Sequence, residues 1–257
     1  MRSTPDGAPA ALETRGLHKN FGGLSVTAGV DLRLERGSRQ ALIGPNGAGK
    51  TTLLNLISGA LAPDAGGVYL DGRDVTRLPQ HARARRGLAR TFQINQLFPW
   101  LTVVDHVALA LGERRGSSRR CWRPLGADRA LLDEAFALLE DLGLGDDTLA
   151  PVGTLPYGRQ RLVEIALALA ARPNVLLLDE PAAGVPAAES HLILDAIAAL
   201  PAEIAVLIVE HDMDVVFRFA RRITVMAGGA ILTEGTPEAI AADERVRAVY
   251  LGRRRDG

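Results

Sequence analysis

Gly44-Pro45-Asn46-Gly47-Ala48-Gly49-Lys50-Thr51 fills every fixed position of the pattern G-x-x-x-x-G-K-[ST], and Thr52 adds a second hydroxyl. Glycines so placed let successive backbone N–H groups curl around phosphate oxygens. The helix that follows adds partial positive charge at its N-terminus. The Lys50 ammonium is placed to reach the β- and γ-phosphates of a nucleotide, and the Thr51 hydroxyl to offer an oxygen to Mg²⁺. Of the 30 lysines and arginines only Lys19 and Lys50 are lysine, so an arginine-using sequence keeps a compact ammonium here. A second element ends the apolar run Val175-Leu176-Leu177-Leu178 in Asp179-Glu180. Two carboxylates at the carboxyl edge of a strand suit a metal ligand, Asp179, and a general base for an attacking water, Glu180. Alone, that pair would read as a turn with solvated acids. The lysine loop reverses the preference.

Elements must hold these groups. Residues 40–43 form a short apolar run bounded by turn residues, and 51–57 carry helical apolar spacing, so the glycine loop lies between strand and helix. Strands are predicted at 11–15, 26–34, 68–70, 175–178 and 204–209, with a hairpin over 223–226 and 230–233 around Ala227-Gly228-Gly229. Helices are predicted at 78–90, 101–111, 131–142, 162–171, 191–200 and 213–220. Alternating strands and helices imply an α/β core, and the mostly helical stretch from about 95 to 169 an inserted lobe. The segment 113–123 holds five arginines and reads as a solvated loop, with a lipid-headgroup or partner contact as the second reading.

Composition sets limits. A chain of 257 residues, 47% hydrophobic and 23% charged, can bury a sizeable core. A formal net charge of zero argues against a nucleic-acid partner held by overall charge. The single cysteine, Cys121, excludes an internal disulfide. No apolar run approaches the roughly 18 residues that span a bilayer. The opening MRSTPDGAPAALE lacks the apolar core of a signal peptide and reads as a disordered tail over 1–10. The chain is therefore expected to be soluble, with any membrane role exercised through partners.

Further motifs narrow the class. Leu155-Pro156-Tyr157-Gly158-Arg159 precedes Gln160-Arg161 and a helix leading to the Asp179-Glu180 strand. Gly87-Leu88-Ala89-Arg90-Thr91-Phe92-Gln93, Leu178-Asp179-Glu180-Pro181-Ala182-Ala183-Gly184, Val209-Glu210-His211-Asp212-Met213 and Val249-Tyr250-Leu251-Gly252 complete the set. On these residues the chain resembles, over nearly its whole length, the ATP-binding subunit of an ABC transporter. Within that superfamily it is most similar to the branched-chain amino-acid and urea-type amide uptake ATPases. The resemblance implies an α/β fold: a RecA-like P-loop NTPase core with an antiparallel β subdomain and an inserted α-helical subdomain. It implies one domain over 11–257, with a nucleotide-binding core at 11–94 and 170–257 and a helical signature lobe at 95–169.

It also implies roles. ATP and Mg²⁺ are the implied ligands. Phe21 falls where an aromatic ring lies against adenine, Gln93 matches a glutamine that joins the Mg²⁺ shell with Thr51 and Asp179, and His211 matches a histidine that reaches the γ-phosphate. Residues 155–159 match the signature that acts on the nucleotide of an opposite subunit. Two departures stand out. Pro156 occupies a position where a serine-like hydroxyl is usual, and Pro186 replaces Asn or Asp in the loop that crosses between subunits. Both alter what the chain offers a partner, which points to a second, non-identical ATPase subunit. The other implied partners are two membrane permease subunits, docked near 95–101, and an external substrate-binding protein, with the chain peripheral on the cytoplasmic face of the inner membrane. A lipopolysaccharide-type exporter ATPase, an ABC ATPase acting on ribosomes or DNA, and a P-loop kinase are the alternatives. A ribosome or DNA ATPase would carry an internal repeat, long coiled coils or basic extensions, none of which is seen. A kinase would need an acceptor-binding lid and leave the signature helix and His211 unexplained.

Overall fold

The computed structural model describes residues 9–91, 97–116 and 128–251. Strands β1 (Leu12–Phe21) and β2 (Leu24–Leu34) form a hairpin, and β3 (Arg39–Ile43) runs into the glycine loop and helix α1 (Lys50–Ser58). Strands β4 (Ala65–Leu70) and β5 (Arg73–Asp74), helix α2 (Gln80–Ala84) and strand β6 (Leu88–Arg90) follow. Helices α3 (Val103–Arg114), α4 (Arg129–Asp141) and α5 (Tyr157–Ala170) make the helical lobe. The chain then alternates through β7 (Val175–Asp179), α6 (Ala187–Ala198), β8 (Ala205–Val209), α7 (Met213–Phe219), β9 (Arg222–Ala227) and β10 (Ala230–Gly235). It closes on α8 (Pro237–Ala242) and α9 (Glu244–Leu251).

Two sheets organise the molecule. An antiparallel sheet has the order β2-β1-β4-β5, and a six-stranded sheet has the order β10-β9-β3-β8-β7-β6, parallel except for the β9–β10 hairpin. Every residue of β7 and β8 is buried, as expected for central parallel strands covered on both faces. One face of the six-stranded sheet, with Leu176, Leu178 and Ile208, packs under Val107, Leu139 and Ala166 of the helical lobe. The other face, with Leu177 and Leu207, packs against Leu53 and Leu56 of α1 and Leu12 and Leu32 of the antiparallel sheet.

Register delivers the chemistry to one edge. Leu42 of β3 lies opposite Val209 of β8, and Val209 opposite Asp179 of β7. The residues that follow these three strands therefore emerge side by side at the carboxyl edge, where open α/β sheets bind ligands.

Two expectations change. The predicted helix over 78–90 is only the five-residue α2, and Leu88–Arg90 is the edge strand paired with β7. Gly87 turns the chain at φ +89, and its carbonyl accepts from the Asn174 and Val175 amides. Sheet pairing thus overrides the local helical pattern. Within α2, Arg83 is wholly buried. Its guanidinium donates to the carbonyls of Leu56 (2.7 Å), Ile57 (2.6 Å), Thr76 (2.8 Å) and Leu78 (3.0 Å), capping the end of α1.

The basic segment 113–123 is not wholly a solvated loop. Arg114 ends α3 and Arg115 caps it, and both bond Glu134 of α4, as does Arg172 after α5. Residues 117–127, including Cys121, lie outside the described residues. Burial alone would raise the Glu134 carboxyl, but the hydrogen bonds and charges of its arginines outweigh that and bring it down to about 2. A carboxyl depressed from 4.5 stabilises the fold fully above its ordinary range and loses that contribution as pH falls from about 4.5 towards 2. Glu134→Gln is therefore expected to lower the thermal midpoint at pH 7 by about 2–4 °C, the size of a ~1 kcal/mol loss in a domain of this length. Thermal scans should show the gap closing as pH falls through that window. A gap independent of pH would contradict the ion-pair account.

Candidate functional site

The glycine loop leaves β3 buried and enters α1 with its phosphate-facing residues open: Asn46, Gly47 and Thr51 are exposed. Gly44 (φ +153) and Gly49 (φ +98) cannot be replaced without collision, because a Cβ would strike the Met226 carbonyl at the first and the Val26 carbonyl at the second. The Lys50 ammonium folds back onto the loop, donating to the Gly44 carbonyl at 2.6 Å and the Pro45 carbonyl at 3.1 Å. Burial lowers its affinity for a proton, and the charges of Glu180 and Asp179 oppose that shift. Pro45, Ala48 and Thr52 complete the loop, with Ala48 buried.

Glu180 stands just past β7 with φ +48, a left-handed conformation that costs a non-glycine residue free energy and here turns the carboxylate out of the strand line. Its amide is fixed to the Val209 carbonyl at 2.9 Å. His211 follows β8 and is exposed, with Nδ1 3.6 Å from the Glu180 carboxylate and 4.0 Å from that of Glu210. At 3.6 Å the pair is not yet hydrogen-bonded, a separation that catalytic groups commonly show before substrate draws them in. Lys50, Glu180 and His211 are thus brought to one edge.

Asp179 is buried, and one of its oxygens accepts from the Arg90 guanidinium at 2.9 Å. Among the described residues no group of three or more His, Cys, Asp and Glu could hold a metal by itself. The available donors, the Thr51 hydroxyl and the Asp179 carboxylate, are hard oxygens of the kind that suit Mg²⁺ shared with substrate phosphates. Gln93 lies outside the described residues.

Phe21 sits at the β1–β2 turn, 51% exposed, with the Lys19 ammonium 5.8 Å from its ring centroid. The returning strand carries Val26 against Gly49, so the hairpin adjoins the phosphate loop. The signature segment starts α5, with Pro156 as an N-cap that has no side-chain hydrogen bond. Gly158 instead donates its amide to Glu189 of α6 at 3.1 Å. Arg159 pairs with Asp147, Tyr157 is partly exposed near the Arg161 guanidinium, and Leu155 is buried. Pro186 likewise begins α6 without a side-chain cap.

Three residues at this edge stand in the quoted motifs without an assigned role. Arg90 was hidden in the mispredicted helix. Glu210, 2% exposed, accepts from the amides of Ala182 (3.4 Å) and His211 (3.3 Å), and burial pushes its carboxyl up while those amides oppose the shift. Burial raises the pKa of the Tyr250 hydroxyl on α9, and the Gly44 amide opposes that shift.

Comparison with known proteins accords with this geometry. A family described as ABC transporter matches residues 27–183, and one described as Branched-chain amino acid ATP-binding cassette transporter matches residues 230–256. The high-affinity branched-chain amino acid transport ATP-binding protein BraF of Pseudomonas aeruginosa is 38% identical over 254 residues, covering 94% of this chain and 97% of the relative. A probable branched-chain amino acid transport ATP-binding protein, LivG of Archaeoglobus fulgidus, is 38% identical over 94% of this chain and 95% of its own. A solved ATP-binding cassette of an ABC transporter in its ADP conformation superposes with a TM-score of 0.83 at 32% identity, over 95% of this chain and 99% of that one. With its loop, strand-end carboxylates and helical lobe in this arrangement, the chain belongs to the ABC transporter family of ATP-binding cassettes and is an ATPase.

Proposed function

We propose that this chain powers uptake of branched-chain amino acids or related amides as one of two head-to-tail ATPase subunits beneath two permease subunits on the cytoplasmic face of the inner membrane. The observation that carries the substrate class is the match of the C-terminal segment, residues 230–256, to the branched-chain family. No helix among the described residues is long and apolar enough to cross a membrane, so the substrate path belongs to partner chains. An external binding protein delivers the substrate, and no nucleic acid takes part.

In this reading the loop amides and Lys50 hold the β- and γ-phosphates, and Phe21 stacks on adenine. Thr51, Asp179 and Gln93 would hold Mg²⁺, which would supply positive charge against the phosphates. Glu180 takes a proton from the attacking water, and His211 fixes the γ-phosphate and Glu180 in register. Residues 155–159 face the nucleotide of the opposite subunit. There Pro156 lacks a hydroxyl, and the missing charge-assisted hydrogen bond is worth about 1.5–3 kcal/mol. The chain thus hydrolyses its own ATP well when capped by a more regular signature, and caps a partner's site poorly.

Glu180→Gln is expected to keep ATP binding, slow hydrolysis by about 10²–10⁴-fold and trap a closed pair visible by size-exclusion chromatography. Rapid hydrolysis by that variant would refute the assigned base. The same assay on wild type, alone and mixed with the second ATPase subunit, tests the asymmetry: a homodimer working at full transporter rates would contradict it.

Exposure supports docking of the permease at the lobe. Trp100 is 74% exposed and Phe98 51%, their rings 5.9 Å apart, and His106 stacks beneath Phe98. Exposed aromatic side chains of this kind anchor interfaces. Trp100→Ala is expected to weaken assembly with the permease subunits about tenfold or more while leaving ATP binding intact. Equal loss of both, with a lowered thermal midpoint, would instead assign Trp100 to packing within the chain.

A further inference from the structure

Arg90 lies within the Gly87–Gln93 motif, which gives it no role of its own. Its guanidinium is forked between two elements of the nucleotide edge. One terminal nitrogen donates to Asp179 at 2.9 Å, and the other to Asn55 at 2.7 Å and Ser58 at 3.3 Å. The arginine side chain is 10% exposed and that of Asp179 1%. Asn55 and Ser58 lie on α1, the helix that begins with Lys50 and Thr51. Three pieces of the fold therefore meet at one cation: the edge strand β6, the phosphate-loop helix and the end of β7.

We propose that Arg90 is a positioning residue that fixes the Asp179 carboxylate relative to Thr51, so that the divalent cation of the nucleotide finds both oxygens already in place. This rests on the reading of Asp179 and Thr51 as the metal-side oxygens. An aspartate at a strand end can rotate about its own side chain. Tying one oxygen to a cation anchored on α1 removes that freedom and leaves the other oxygen for the metal. The pairing also offsets the carboxylate's charge beside Lys50, so a bare cation gains less at this edge than one arriving with phosphates. The fork matters as well as the charge. A lysine ammonium is a single point and cannot span Asp179 and Asn55 in the same fixed plane. Arg90 is also three residues before Gln93 in the sequence.

The test is binding of a fluorescent ATP analogue by the full chain, titrated with Mg²⁺ and repeated in EDTA. It compares wild type, Arg90→Lys, Arg90→Met and Asn55→Ala, each checked by circular dichroism and thermal melting. In Arg90→Met and Arg90→Lys the Mg²⁺ concentration for half-maximal binding is expected to rise tenfold or more, while affinity in EDTA changes less than threefold. Asn55→Ala, which keeps the ion pair and removes the shorter of the two bonds to α1, should shift the Mg²⁺ requirement in the same direction by a smaller factor. If Arg90→Met does not fold, Arg90→Lys and Asn55→Ala decide the matter. An unchanged Mg²⁺ requirement in the folded variants overturns the proposal, as does an equal loss of affinity with and without Mg²⁺, which would make Arg90 a general structural prop. Failure of wild type to bind the analogue at all would instead remove the nucleotide reading on which the proposal stands.

Discussion

A half-buried ammonium at Lys50 loses hydration, and the fold around it must restore what water would have given. The carbonyls of Gly44 and Pro45 do so locally, and Asp179 and Glu180 supply compensating charge from across the sheet. That arrangement requires β3, β8 and β7 to end at the same level, which their parallel register achieves through Leu42, Val209 and Asp179. A shift of one residue in β7 would turn Asp179 to the other face of the sheet and leave Lys50 without that charge. Arg83 caps the far end of α1, while the left-handed turn at Glu180 and the buried Glu210 under Ala182 lie at this edge. They hold loops that would otherwise move the charges apart.

The two sides of the molecule are built differently. On its phosphate side every fixed position of the loop is present, and the strand-end residues converge. On the side that the family resemblance turns towards a partner, α5 and α6 both start behind prolines with no side-chain cap. Glu189 places a carboxylate against the Gly158 amide, and Arg159 is engaged by Asp147 within the same chain. A helix N-terminus already facing a carboxylate is a poorer receiver of an incoming phosphate than a free one. This electrostatic contrast supports the proposed assembly of unlike ATPase subunits.

The residues legible in the sequence are those whose chemistry is set by local spacing. The glycine loop, the acidic end of β7 and the histidine after β8 each sit next to an apolar strand, so their neighbours in sequence disclose their place. Arg90 was not legible, because its partners lie 35 and 89 residues away and its own segment resembles a helix. Arg114 and Arg115 read as solvated charges until Glu134 of α4 packed beside them. Tyr250 needed the path of the whole closing segment. Helix α8 carries a local start signal, since Thr236 caps the Ala239 amide and Pro237 opens the helix. What propensity and spacing miss are contacts decided by tertiary register, and the edge built around Lys50 depends on several of them.

The most direct measurement is calorimetric titration of MgATP into the purified chain and into Lys50→Ala. The account predicts clear binding by the first and a loss of a hundredfold or more in the second, about 2.7 kcal/mol, with no change in folded-state circular dichroism. Equal affinity of the two proteins would contradict the claim that this half-buried ammonium organises the nucleotide site.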